Sequence, residues 1–105
     1  MAEERKLYGD DLYKNVLLSD SEHAKLKQLY GDHLQLAIDI LNCYIENSTR
    51  GKKYKSHYTV LCKRTGWLKK RVERTLYREW AIKVHEELQK PPFARKWIEQ
   101  PKLNF

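Results

Sequence analysis

The stretch DHLQLAIDILNCYIEN, residues 32–47, decides the fold. At 100° per residue Leu34, Ala37, Ile38, Leu41, Tyr44 and Ile45 make one face of a helix, and Leu36, Ile40 and Cys43 fall outside it. Only Gln35, Asp39, Asn42 and Glu46 remain as a narrow polar stripe. A helix this apolar belongs at the centre of a domain, so residues 33–47, capped by Asp32, are read as the element around which the others pack.

Upstream, Ser19-Asp20-Ser21-Glu22 is a capping box: the Ser19 hydroxyl accepts from the backbone N–H of Glu22 while the Glu22 carboxylate reaches back. The helix it starts runs to Tyr30 and stops at Gly31. Downstream, Asn47 to Lys53 is polar, contains a glycine and reads as a loop. Tyr54, Tyr58, Leu61, Cys62 and Thr65 then follow at helical spacing, with a short strand through residues 58–61 as the alternative that the β-branched pair Thr59-Val60 allows. Gly66 breaks the pattern, and a long helix follows from Trp67 to about Lys90. Leu68, Val72 and Leu76 lie within about 80° on that helix, whereas Tyr77, Trp80, Ala81, Val84 and Leu88 cluster on an arc rotated by more than about 100° from them. Its two halves must pack against different things, either two parts of one domain or a second copy of the chain. Pro91-Pro92 ends it.

The expected fold is therefore all-α: a small helical bundle with a helix-turn-helix-like hairpin and an extended C-terminal tail. Residues 1–92 are read as one helical domain and residues 93–105 as the tail, and a chain of 105 residues offers a single core for any site. The longest aliphatic run, Val16-Leu17-Leu18, is far too short for a membrane span or a signal-peptide core. Cys43 and Cys62 have no Cys-x-x-Cys partner and are read as core residues rather than as metal ligands or a disulfide. A reducing cytoplasm fits that usage.

Charge is unevenly placed. Residues 1–49 hold five Lys/Arg and nine Asp/Glu, whereas residues 50–78 hold eleven Lys/Arg and one acidic residue, Glu73, for a net +10. Residues 79–105 are nearly balanced at +1. Surfaces that serve solubility intersperse the two signs, so segregation of this kind points to a polyanion docking on one region. On the long helix Lys70, Arg71, Arg74 and Arg78 fall within about 100°, opposite Leu68, Val72 and Leu76, so burying the apolar stripe turns the basic one outward. Lys69 belongs to the same segment. Arg50, Lys52, Lys53 and Lys55, in and beside the preceding loop, are suited to phosphates rather than to base edges. Tyr54, His57 and Tyr58 are interleaved with them, but Tyr54 and Tyr58 share the apolar face, which favours packing over base stacking. Docking on acidic lipid is disfavoured because the bulky apolar residues are committed to the core, and no membrane partner is expected.

The run TRGKKYKSHY, residues 49–58, preceded by Leu29-Tyr30-Gly31 and by a helix ending Cys43-Tyr44-Ile45-Glu46, and followed by Gly66-Trp67, resembles a conserved segment of replication-associated proteins of phages and other bacterial mobile elements. The likeness covers about residues 17–67. In those proteins the segment commonly follows a winged-helix or helicase-loader-like region that this sequence lacks, and residues 68–105 extend beyond it. What the resemblance implies is a mobile-element origin, a bacterial host cytoplasm and a DNA or replication context.

No spacing supplies a converging acid, base or nucleophile, so no enzyme and no cofactor are expected. His23, His33, His57 and His85 are scattered, and the basic segment holds no acidic cluster for Mg²⁺. Tyr77, beside Arg74 and Arg78, lies on an apolar arc rather than poised as a strand-cleaving nucleophile. The C-terminal Gln100-Pro101-Lys102-Leu103-Asn104-Phe105 resembles the Gln-x-x-Leu-x-Leu/Phe peptide that grips the bacterial sliding clamp. In that reading Leu103 and Phe105 are anchors and Gln100 orients the peptide; in the alternative, the tail folds back over the Tyr77/Trp80/Val84 arc. The function expected is binding of nucleic acid, DNA by the resemblance, together with bacterial replication machinery. The rival of a different class is a phage antagonist of a host enzyme such as a defence nuclease, working as an anti-CRISPR-like inhibitor does.

Overall fold

The computed structural model describes residues 4–64 and 66–104. It corrects the all-α expectation. The chain is mostly helical but opens with an antiparallel hairpin, β1 (Arg5–Gly9) and β2 (Lys14–Ser19), which makes the fold mixed. Four helices follow: α1 (Asp20–Tyr30), α2 (Leu34–Asn47), the short α3 (His57–Cys62) and the long α4 (Trp67–Leu88). Single 3-10 turns precede α2 and occupy residues 51–53 and 92–94.

The hairpin forms because residues 14–19 present Val16 and Leu18 on one side at period two, both fully buried, while Leu7 and Leu17 pair across the strands on the outer face. Asp10 closes the turn by accepting from the backbone N–H groups of Leu12 and Tyr13 at 2.8 and 2.6 Å. A register irregularity between Tyr8 and Gly9 lets the chain come round. Gly9 is required there: a Cβ would sit 2.3 Å from the Tyr13 carbonyl oxygen and 2.9 Å from Asn42 Nδ2.

The polar stripe of α2 is where this hairpin docks. Asn42, only 2% exposed, accepts from Asn15 N and Asn15 Nδ2 at 2.9 and 3.0 Å and donates to the Tyr13 carbonyl at 3.0 Å, so its side-chain amide pairs with the β2 edge much as a neighbouring strand would. Glu46 accepts from Asn15 Nδ2 and Gln35 donates to the Gly9 carbonyl. Gln35, Asn42 and Glu46 are polar where the stripe meets the hairpin, and exposed Asp39 accepts from Gln35.

The Ser19 capping box forms with both of its hydrogen bonds. Asp32 makes no cap, since a 3-10 turn carries the chain from Gly31 (φ +59°) into α2 and the N-cap is His33. The core joins Val16 and Leu18 of β2, Leu26 and Tyr30 of α1, the apolar face of α2, Leu61 of α3, and Leu68, Val72 and Leu76 of α4. Tyr30 donates its hydroxyl to the Leu61 carbonyl, and burial pushes its pKa well above the usual phenol range. Of the two cysteines, Cys62 is half-buried against the core while Cys43 is exposed, so the reading of Cys43 as a core residue is also corrected. Residues at the rim of a wide helical face stay accessible when no neighbour covers that side.

Beyond Leu76, α4 leaves the body, and the molecule extends 59 × 28 × 28 Å. The tail turns at Pro91-Pro92 and runs back along α4. Trp80 Nε1 donates to the Ile98 carbonyl at 3.0 Å, and the Glu87 carboxylate accepts from the Lys96 backbone at 2.7 Å. At its end Asn104 bonds through backbone and side chain to the carbonyls of Leu29 and Gln28 on α1, while Leu103 packs against the core.

Candidate nucleic-acid interface

Three elements bring the basic segment together: the end of α2, the loop at residues 48–56 and the start of α4. Gly51 is buried against α2; a Cβ there would meet Ile45 Cα at 2.9 Å and the Tyr44 ring at 3.0 Å, so only glycine lets the loop lie this close. Tyr44 packs against Trp67 in a tilted contact with ring centroids 4.6 Å apart and contacts Tyr54 at 6.1 Å, and Trp67 Nε1 donates to the Tyr54 hydroxyl at 3.1 Å. This aromatic cluster pins the loop cations beside the first turns of α4.

The pinned loop carries Arg50, Lys52, Lys53 and Lys55, all exposed. On α4, Lys70, Arg71, Arg74 and Arg78 are exposed along about 12 Å of axis, on the side away from buried Leu68, Val72 and Leu76. Among the described residues none of these eight side chains pairs with a carboxylate within 4.0 Å. Lys69 differs: its side chain is 15% exposed and its ammonium lies 3.3 Å from Glu73 one turn on, so it serves α4 rather than the surface. Two cations outside the predicted set, Lys63 and Arg64, are exposed in the α3–α4 connection. Their place in the run between α3 and Gly66 was the available signal.

The aromatic residues interleaved with the cations have other duties. Tyr54 and Tyr58 pack on the core, and His57 Nδ1 accepts from the Leu17 backbone N–H at 2.8 Å, closing the outer edge of β2. Burial, with a smaller contribution from Arg5, lowers the His57 pKa below its ordinary 6.5. That geometry fixes the neutral tautomer with its proton on Nε2. α3 is shorter than the helix of residues 55–64 that the spacing predicts, with Ser56 as its N-cap, and it packs against α4.

On the returning tail, Gln100 is exposed, Leu103 is partly buried and Phe105 lies outside the described residues. Presenting Gln100, Leu103 and Phe105 to a sliding clamp would require the Asn104 bonds to α1 to break. Among the described residues no group of three or more His, Cys, Asp or Glu is placed to hold a metal ion, and no helix is long and apolar enough to cross a membrane. Tyr77 is half exposed and packs on Trp80 in a tilted contact at 5.5 Å. No family model, curated protein or solved structure matches this chain.

Proposed function

We propose that the protein is a small nucleic-acid-binding protein, without catalytic activity of its own, that docks on phosphates through the face formed by Arg50, Lys52, Lys53, Lys55, Lys70, Arg71, Arg74 and Arg78. The observation that carries this reading is that eight exposed cations from two segments, with no carboxylate within 4.0 Å among the described residues, are brought together where a fixed aromatic cluster pins the loop to α4. Ion-paired surfaces serve solubility; a face whose positive charges have no carboxylate partner among the described residues favours an external polyanion. The resemblance of residues 17–67 to replication-associated proteins of mobile elements supports DNA as that polyanion and bacterial replication machinery as the context.

The test is the triple variant Lys70→Ala, Arg71→Ala, Arg74→Ala. These side chains oppose the buried stripe, so the far-ultraviolet spectrum and melting temperature should hold while affinity for a labelled oligonucleotide falls by at least tenfold. A folded triple variant with unchanged affinity would remove this face from consideration.

A second reading, an antagonist that binds a host enzyme, is favoured by a different observation. Phe93 and Trp97 are 91% and 90% exposed on the charge-balanced distal end, with Leu88 beside Trp97, and solvent-facing aromatics of this size suit a protein partner. Capture from bacterial lysate separates the two. A host protein retained after nuclease treatment and lost in Phe93→Ala, Trp97→Ala favours the antagonist, whereas retention that nuclease abolishes favours nucleic acid.

A further inference from the structure

The basic face contains a cavity that phosphate contacts do not explain. About 470 Å³ of open space lies between α2 and the start of α4, walled by Ile40, Cys43, Tyr44 and Trp67 and bordered by Asp39, Asn47, Ser48 and Arg71. Trp67 and Tyr44 offer aromatic surface whose orientation is fixed by their mutual tilted contact and by the Trp67–Tyr54 hydrogen bond. Arg71 stands one helical turn after Trp67, on the same side of α4.

The polar rim selects what can enter. Asp39 uses Oδ1 to accept from Gln35, which leaves Oδ2; Asn47 donates to the Cys43 carbonyl, which leaves its Oδ1 as an acceptor. Ser48 Oγ accepts from Gly51 N and retains its own proton to donate. On its α2 side the site therefore presents two acceptors and the Ser48 donor, with Arg71 as a further donor on the α4 side, beside one aromatic wall made by Tyr44 and Trp67. A phosphate is unsuited to its α2 side, because the Asp39 carboxylate and the carbonyl end of α2 both carry negative charge, and only Arg71 on the α4 side offers a positive charge. A nucleobase fits: it has two flat faces for stacking, and its amino or imino N–H groups and ring carbonyls match the rim.

We infer that this cavity takes one unstacked base of a single strand, with the flanking phosphates on Arg71, Lys70 and the loop cations Lys52 and Lys53. The inference rests on the reading of the basic face as a nucleic-acid interface and names the form of nucleic acid it prefers. A duplex keeps its bases stacked, and extruding one opposes binding. Base-on-aromatic stacking adds affinity without demanding a sequence.

The test is fluorescence anisotropy on the wild-type protein with three labelled probes of equal length: a mixed-sequence single strand, the same sugar-phosphate backbone with abasic sites throughout, and a duplex. The abasic strand should bind about tenfold or more weakly than the strand with bases, and the duplex should also bind more weakly than the single strand. A second arm fills the cavity from the exposed rim with Cys43→Trp. That variant should bring the normal strand down to the affinity of the abasic one and leave the abasic strand unchanged. An abasic strand or a duplex bound as tightly as the normal single strand would overturn the base site while leaving the phosphate face intact. Failure of all three probes to bind would overturn both readings.

Discussion

Replacing Asn42 by Ala tests the joint between the hairpin and the helices. Asn42 is buried on α2, and its one amide satisfies Asn15 N, Asn15 Nδ2 and the Tyr13 carbonyl, all within 3.0 Å. Alanine removes the three bonds, fills none of the space, and leaves the Asn15 N–H of the hairpin without a partner, while the Tyr13 carbonyl keeps its bond from the Asp10 N–H at 2.9 Å. A net loss near 1 kcal/mol per neutral hydrogen bond, partly recovered where water reaches the exposed Tyr13, gives a destabilisation of about 2–3 kcal/mol. In a domain of this size that lowers the melting temperature by about 10 °C or more. Gln35→Ala is the control, since that side chain is exposed and its bond to Gly9 is 3.3 Å long; it should cost less than about 0.5 kcal/mol. The assay is urea unfolding followed by circular dichroism, with both variants at one pH. If Asn42→Ala unfolds at the same urea concentration as Gln35→Ala, the amide does not hold the hairpin and the polar stripe needs another explanation.

Three further outcomes follow from the same contacts. His57 stays neutral in the fold while the unfolded chain takes up its proton near pH 6.5; the contribution of His57 is therefore fully present above that pH and is lost as pH falls from 6.5 toward the lower folded-state value, so the urea midpoint should drop between pH 7.5 and 5.5 and do so less in His57→Gln. Gly51→Ala would drive a Cβ into Ile45 and Tyr44 and push the loop off α2, costing about 1–3 kcal/mol and weakening oligonucleotide binding although every cation is retained, a combination read by pairing a melt with anisotropy. Leu103→Ala should lower the melting temperature by a few degrees, about 1 kcal/mol for a half-buried side chain, and expose the Asn104 amide to hydrogen exchange.

What the sequence conveys about this fold is local. The Ser19 box, the apolar face of α2 and the Leu68/Val72/Leu76 stripe are each legible because a few neighbouring residues dictate them. The hairpin is not, for two reasons. Leu17 follows Val16 and precedes Leu18, which hides the period-two pattern, and the strand partner Lys6-Leu7-Tyr8 is short and mixed. The available clue was Gly9-Asp10, a turn pair ahead of an aliphatic run. Asp32 resembles a cap because Asp usually caps, but the 3-10 turn after Gly31 moved the helix start one residue past its reach. At the candidate site, the cations are legible from charge segregation alone. The cavity is not, because Asp39, Tyr44, Trp67 and Arg71 come from two helices about 30 residues apart whose approach depends on Gly51 and on the Tyr54–Trp67 bond.

The salt dependence of single-strand binding addresses the basic face most directly. With at least four phosphates on the cations of the loop and of α4, the logarithm of the affinity should fall with the logarithm of salt at a slope of about −3 between about 50 and 200 mM. A slope shallower than about −1, or no binding at the lowest salt, would contradict the account.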